Sequence, residues 1–198
     1  MKQIAQYLCL FCAVILIASC SEDESDYILL AFPEENPYPE YLGHYGFDQN
    51  QIAYVDDNNS YEMGFSFQPL VVGNITALVV SLPDAHANLR ITIWDKQAAQ
   101  PIRTEYVNVA TQAQEFVFPI DPLALETNKE YLITMNSDDY YFFVLQQQPE
   151  PIVYPHDFGN IRITGARIDM SNSGQIMPAE DSVNAVGGNC SFKFQQIQ

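Results

Sequence analysis

The stretch Tyr61-Glu62-Met63-Gly64-Phe65-Ser66-Phe67-Gln68 places Tyr61, Met63, Phe65 and Phe67 on one side of an extended chain and polar or small residues on the other. A period of two means strand, because successive side chains of extended backbone point to opposite faces. The same period runs through Leu89-Arg90-Ile91-Thr92-Ile93-Trp94 and, after the turn Asp95 to Pro101, returns in Ile102 to Val109, which predicts a hairpin. Ile75 to Leu82 is apolar on both faces and bounded by Gly73-Asn74 and Pro83-Asp84, so a central strand covered on two sides is expected there. Further strands are predicted at Glu115 to Ile120, Tyr131 to Asn136, Tyr140 to Leu145, Ile161 to Met170 and Cys190 to Phe194, with Ser137-Asp138-Asp139 as a turn. Past the N-terminal segment no long window carries a helical period, and Pro122 to Glu126 is expected to form a single helical turn at most. Ser171 to Gly188, polar and weakly periodic, is expected as a long surface loop. Many short strands with turn chemistry between them predict an all-β fold: an antiparallel β-sandwich, jelly-roll-like or fibronectin/Ig-like.

The N-terminal segment fixes a different matter, the address. Lys2 precedes an apolar run from Tyr7 to Ala18 that is too short to span a bilayer and ends in small residues, the order of a secretory signal. Leu16-Ile17-Ala18-Ser19-Cys20 resembles the lipobox of bacterial lipoproteins, which implies cleavage before Cys20 and lipidation of that cysteine, and hence a membrane partner through a lipid anchor. Glu22, Asp23, Glu24 and Asp26 follow directly, and this acidic cluster is similar to the surface-export signal of outer-membrane lipoproteins in some Gram-negative bacteria. The resemblance implies an outer-membrane protein displayed on the cell exterior. Pro33-Glu34-Glu35-Asn36-Pro37-Tyr38-Pro39-Glu40 reads as more spacer, since closely set prolines favour extended backbone. The apolar piece Tyr27 to Phe32 either docks on the domain or opens it as an edge strand. The expected organisation is a signal peptide over 1–19, an acidic, Pro-rich tether over 20–50 and one β-sandwich domain over 51–198.

Charge excludes one class of partner. With 8 basic and 25 acidic side chains, falling to 7 and 25 once Lys2 leaves with the signal, the mature formal charge is −18. The basic residues are scattered, so nucleic acid, whose binding needs clustered Lys and Arg, is not an expected partner. Of the four cysteines, Cys9 and Cys12 leave with the signal and Cys20 carries lipid, so Cys190 has no disulfide partner and reads as a small buried hydrophobe.

A second resemblance arises from the strands themselves. Met63 to Phe67, Gly73 to Leu78, Ile91-Thr92-Ile93-Trp94-Asp95 and Leu125 to Ile133 together look like a bacterial β-sandwich domain of unknown function, over about Tyr61 to Val144. Members of that group accompany cell-surface and carbohydrate-active proteins. Where such domains tend to carry a glycine after the tryptophan-aspartate pair, this chain has Lys96-Gln97-Ala98-Ala99. The likeness describes packing and brings no catalytic residue with it.

Candidate chemistry is sparse. His44, His86 and His156 lie in separate loops without His-x-x-x-His or Glu-x-x-His spacing, and neither a Gly-x-Ser-x-Gly elbow nor a phosphate-binding glycine loop occurs. No catalytic residue is therefore assigned. Asp56-Asp57-Asn58-Asn59 and Asn136-Ser137-Asp138-Asp139 offer oxygen ligands that suit Ca2+, with Asp56, Asp57, Asp138 and Asp139 as the carboxylates. Both also sit where strands must turn, and Asp and Asn favour turns in their own right. Flat aromatic rings beside acids make a platform for sugar C–H faces, and the candidates are Trp94, Tyr140, Tyr141 and Tyr154, with core packing as the alternative reading, above all for Trp94. The expectation is a surface-displayed, non-catalytic lipoprotein that binds extracellular carbohydrate. Two alternatives stand beside it: a structural or accessory subunit pairing with an envelope or adhesion protein, and a carbohydrate-active hydrolase.

Overall fold

The structure is a computed structural model that describes residues 31–47, 50–54, 59–111, 114–144, 152–172, 174–179 and 181–197. The lipobox-like stretch with Cys20, the acidic run behind it, and Asp56 and Asp57 lie outside the described residues. The body over Phe32–Gln198 contains β1 (Glu34–Glu35), α1 (Pro37–His44), β2 (Asn50–Tyr54), β3 (Tyr61–Pro69), β4 (Gly73–Ser81), β5 (His86–Asp95), β6 (Gln100–Val109) and β7 (Glu115–Leu125). It continues with β8 (Tyr131–Ser137), β9 (Asp139–Val144), β10 (His156–Phe158), β11 (Ile161–Met170), β12 (Asp181–Ser182), β13 (Ala185–Gly187) and β14 (Cys190–Gln196).

Every strand pairing described is antiparallel. One sheet has the order β1-β14-β4-β7, a second β10-β11-β3-β8-β5-β6 with β12 added to β11, and a third β13-β9-β2. The first two face each other as a sandwich. Phe65 and Phe67 of β3 meet Phe192 of β14 at ring-centroid distances of 6.0 and 4.5 Å, and the rings are fully buried. Burying side chains of this size contributes roughly 1.5–3 kcal/mol each, which makes the β3–β14 seam the centre of the core. Gly64 has a steric reason within β3: a Cβ there would run into the Ile133 carbonyl of β8.

β5 and β6 form the expected hairpin, with Leu89 opposite Val107 and Asp95 opposite Gln100. β4 is the expected central strand, paired with β14 and β7. Two other expectations are corrected. Residues 122–125 continue β7 instead of turning into a helix; Pro119 and Pro122 flank an irregularity in its pairing with β4, and an edge strand tolerates their missing N–H groups. At Ser137-Asp138-Asp139, expected as a turn, the chain passes from β8 to β9 and changes sheets, since β9 pairs with β2 and β13. The 171–188 stretch is not all surface loop: Pro178, Ala185 and Val186 are buried, and β12 and β13 lie within it.

The largest correction concerns the tether. Residues 37–44 form α1, with Asn36 as its N-cap accepting from the Tyr38 N–H at 3.3 Å and Pro37 in its first turn. Pro37 and Pro39 fit because the first N–H groups of a helix need no partner inside it. Tyr38 and Tyr41 are 3 % and 0 % exposed; Tyr38 stacks on Phe65, and Tyr41 stacks on Tyr154 and meets Phe158 edge-on. The folded body thus starts well ahead of Gln51.

Candidate functional site

The four rings expected to form a sugar platform do not share a face. Trp94, on β5 of the six-strand path, is 3 % exposed, and its indole N–H donates to the Thr134 hydroxyl at 2.8 Å. That hydroxyl donates in turn to Glu62 at 2.6 Å, whose other oxygen takes Arg90 at 2.9 Å, so the indole belongs to a buried polar chain. Tyr140, on β9 of the three-stranded sheet, is 8 % exposed and packs edge-on against Tyr61. Tyr141 is half-buried against the core. Tyr154, half-buried ahead of β10, shares a hydrogen bond of 2.6 Å with the Tyr41 hydroxyl, and burial pushes its pKa up to about 12. An alternating strand made Trp94 look available because its outer neighbours are polar. The missed fact is that the segment 174–179 crosses that face, with the Gly174 carbonyl on Arg90, Gln175 on Thr92 and Thr104, and the Ala179 carbonyl on Arg167.

Of the two oxygen-rich clusters, Asn136 to Asp139 lies among the described residues. Asp139 is 7 % exposed and its two oxygens accept from the Ser137 hydroxyl at 3.0 Å and the Asp84 N–H at 2.9 Å, so it joins the start of β9 to the segment after β4; Asp138 is exposed. Among the described residues no three His, Cys, Asp or Glu side chains gather as a metal-holding group. Cys190 is buried, and burial, aided by the Glu62 charge, pushes its thiol well up, away from the reactive thiolate.

A cavity of about 430 Å³ opens instead at one end of the sandwich, lined by Gln68, Lys96, Gln97, Asn128, Lys129 and Glu130. Three chain segments build it: the end of β3, the β5–β6 turn and the loop from β7 to β8. They are locked together. Asn128, in the left-handed region at φ 61°, donates its N–H to the Pro69 carbonyl at 2.8 Å, and the Lys96 N–H reaches the Glu130 carbonyl at 3.2 Å. Asp95 shapes the turn by accepting from the Ala98 N–H at 2.9 Å. That bond first, and Lys129 second, hold the Asp95 carboxyl below its ordinary range.

The charges of this pocket are internally matched. Lys96 pairs with Glu130 at 2.6 Å, while Lys129 bridges Asp95 at 3.0 Å and Glu126 at 2.8 Å and lies over the Tyr131 ring. The Glu126 and Asp95 carboxylates push the Lys129 ammonium well above its ordinary pKa. Burial works to raise the Glu130 carboxyl, but hydrogen bonds from Lys96 and Thr164 overcome it and keep it ionised. Two cations against three anions leave no surplus positive charge for an anionic ligand. What the pocket presents in addition are three amides, Gln68, Gln97 and Asn128, each a donor and an acceptor side by side. Vicinal hydroxyls match that pattern. A second cavity of about 200 Å³ beside Glu34, Glu35, Glu40 and Phe158 is smaller, and its Glu35 is already occupied by the Asn160 N–H at 2.7 Å and side-chain amide at 2.5 Å.

None of the pocket residues was a candidate from the sequence. The available signal was the cluster Asn128-Lys129-Glu130 facing Lys96-Gln97, two polar turns that the strand order brings to one end. Compared with known proteins, the chain matches no family and no functionally described relative. Its function therefore has to be read from its own geometry.

Proposed function

We propose that this chain is a lipid-anchored, cell-surface β-sandwich protein that binds an extracellular carbohydrate without transforming it, and that the end pocket receives the sugar. The observation that carries this is the pocket itself: about 430 Å³, rigidly framed, charge-compensated and lined by three amides. Ligand cavities of roughly 300–1,000 Å³ with a few placed polar groups are the usual size for small-molecule recognition. A neutral polyhydroxyl ligand suits these groups better than a phosphate or a carboxylate does, because both lysines are already neutralised.

Hydrolysis has weaker support. The buried carboxylate with a raised pKa, Glu62, is shut inside the sheet with Thr134, Arg90 and Trp94 and lines neither cavity. Strand pairing with an envelope protein is opposed at β7 by Pro119 and Pro122, which blunt that edge. A glycan array probed with the folded protein tests the proposal. Binding of a neutral oligosaccharide is expected, weakened about tenfold by Asn128→Gly, which tolerates the left-handed backbone and deletes only the amide. Absence of any glycan ligand, or binding indifferent to Asn128→Gly and Gln97→Ala together, would contradict it.

A further inference from the structure

The histidines separate in sequence do not stay separate in space. His44, the last residue of α1, and His156, the first residue of β10, bring their rings to a centroid distance of 4.7 Å with an interplanar angle of 49°. Tyr45 stands edge-on to both, at 4.9 Å from His44 and 5.4 Å from His156, and Phe158 flanks them at 5.8 and 6.4 Å. The tyrosine is itself fixed, since its hydroxyl donates to the Val153 carbonyl at 2.8 Å. The two imidazoles are therefore held in one place by aromatic walls, and His44 is open to solvent while His156 is half-buried.

We propose that His44 and His156 form a two-histidine site for a late first-row divalent transition ion, Cu2+ or Zn2+, on the surface where α1 meets β10. Imidazole nitrogen sits about 2.0–2.1 Å from such an ion and the ring centre roughly 1.1 Å beyond, so two rings meeting at about 90–109° hold their centroids about 4.5–5.2 Å apart. The observed 4.7 Å falls inside that interval. Imidazole is a ligand that these ions favour and that Ca2+ and Mg2+ do not. Among the described residues no third His, Cys, Asp or Glu completes a metal-holding group, so water fills the other positions and the order of affinity follows the intrinsic one, Cu2+ above Zn2+. An ion there ties the helix to the edge strand β10 of the large sheet. It thereby clamps the start of the folded body to the rest.

The site is independent of the end pocket, and its test is separate. Cu2+ alone is titrated into the purified protein and followed by electron paramagnetic resonance, with Mg2+ as the control ion. One equivalent binding with nitrogen coupling from two imidazoles is expected, together with a rise in melting temperature. His44→Asn and His156→Ala should each weaken binding at least tenfold and abolish the two-nitrogen signature, whereas His86→Ala should leave both intact. His44 is exposed at a helix end, so His44→Asn keeps the fold and decides the matter even if His156→Ala disturbs β10. Cu2+ bound through one nitrogen or through oxygen alone, or binding untouched by His44→Asn, would overturn the proposal.

Discussion

Thr134 is the hinge of the buried polar chain, because one hydroxyl accepts from the Trp94 indole at 2.8 Å and donates to Glu62 at 2.6 Å. Thr134→Val keeps the shape, leaves the Trp94 indole N–H without its acceptor and takes one hydrogen bond from Glu62, and an orphaned buried polar group costs about 1–3 kcal/mol. A loss of roughly 2–4 kcal/mol in urea unfolding is the expected result. Glu62 supplies a pH test. Burial raises its pKa against the opposing pull of Thr134 and Arg90. A folded pKa above the unfolded one means that the folded state holds the proton more tightly, so this residue's contribution is largest below the ordinary carboxylate range and is lost as pH rises through the raised value. Glu62→Gln removes that dependence: the stability of the native chain minus that of the variant should fall as pH increases from about 4 to 7. A difference that stays flat or grows would show that Glu62 is not desolvated.

At the scale of elements, the strands were the legible part. Period-two alternation located β3, β5 and β6, and the doubly apolar run located β4, because sheet burial writes itself directly into neighbouring residues. Helix α1 was hidden by its prolines, which signal extended backbone in isolation and a helix start when an Asn cap precedes them. Its spacing of Tyr38, Tyr41 and Tyr45 was nevertheless helical. The buried side of β5 was hidden for another reason: the cover over Trp94 comes from residues 174–179, distant in sequence and without a period of their own. The end pocket depends on strand order and the histidine pair on where α1 docks against β10, and neither has a local period in the sequence. Starting the chain at Gln51 tests the role of α1. Removing Tyr38 and Tyr41 from Phe65, Phe158 and Tyr154 should cost as much as deleting large core side chains, about 3–5 kcal/mol each. Thermal unfolding of the shortened chain should show a large drop in melting temperature, and an unchanged value would restore the helix to mere tether. Asn36→Ala, which removes the cap to Tyr38 and the acceptor of the Ser191 hydroxyl at 2.8 Å, should cost about 1 kcal/mol.

For the molecule as a whole, the formal charge of −17 sets the background against which every local pair acts. Self-repulsion among exposed acids opposes compaction and is screened by salt, while the surface ion pairs contribute little individually. Melting temperature should therefore rise between low and physiological salt; a fall would mean that the ion pairs outweigh the repulsion. At the end pocket the basic side chains are already matched by acids, which is why the ligand proposed for it is neutral. The most direct measurement is amide-resolved nuclear magnetic resonance of the labelled protein titrated with the oligosaccharide selected on the array. Shifts concentrated at Gln68, Lys96, Gln97 and Asn128 are predicted, and shifts that avoid this end of the sandwich, or no saturable change at all, would contradict the account.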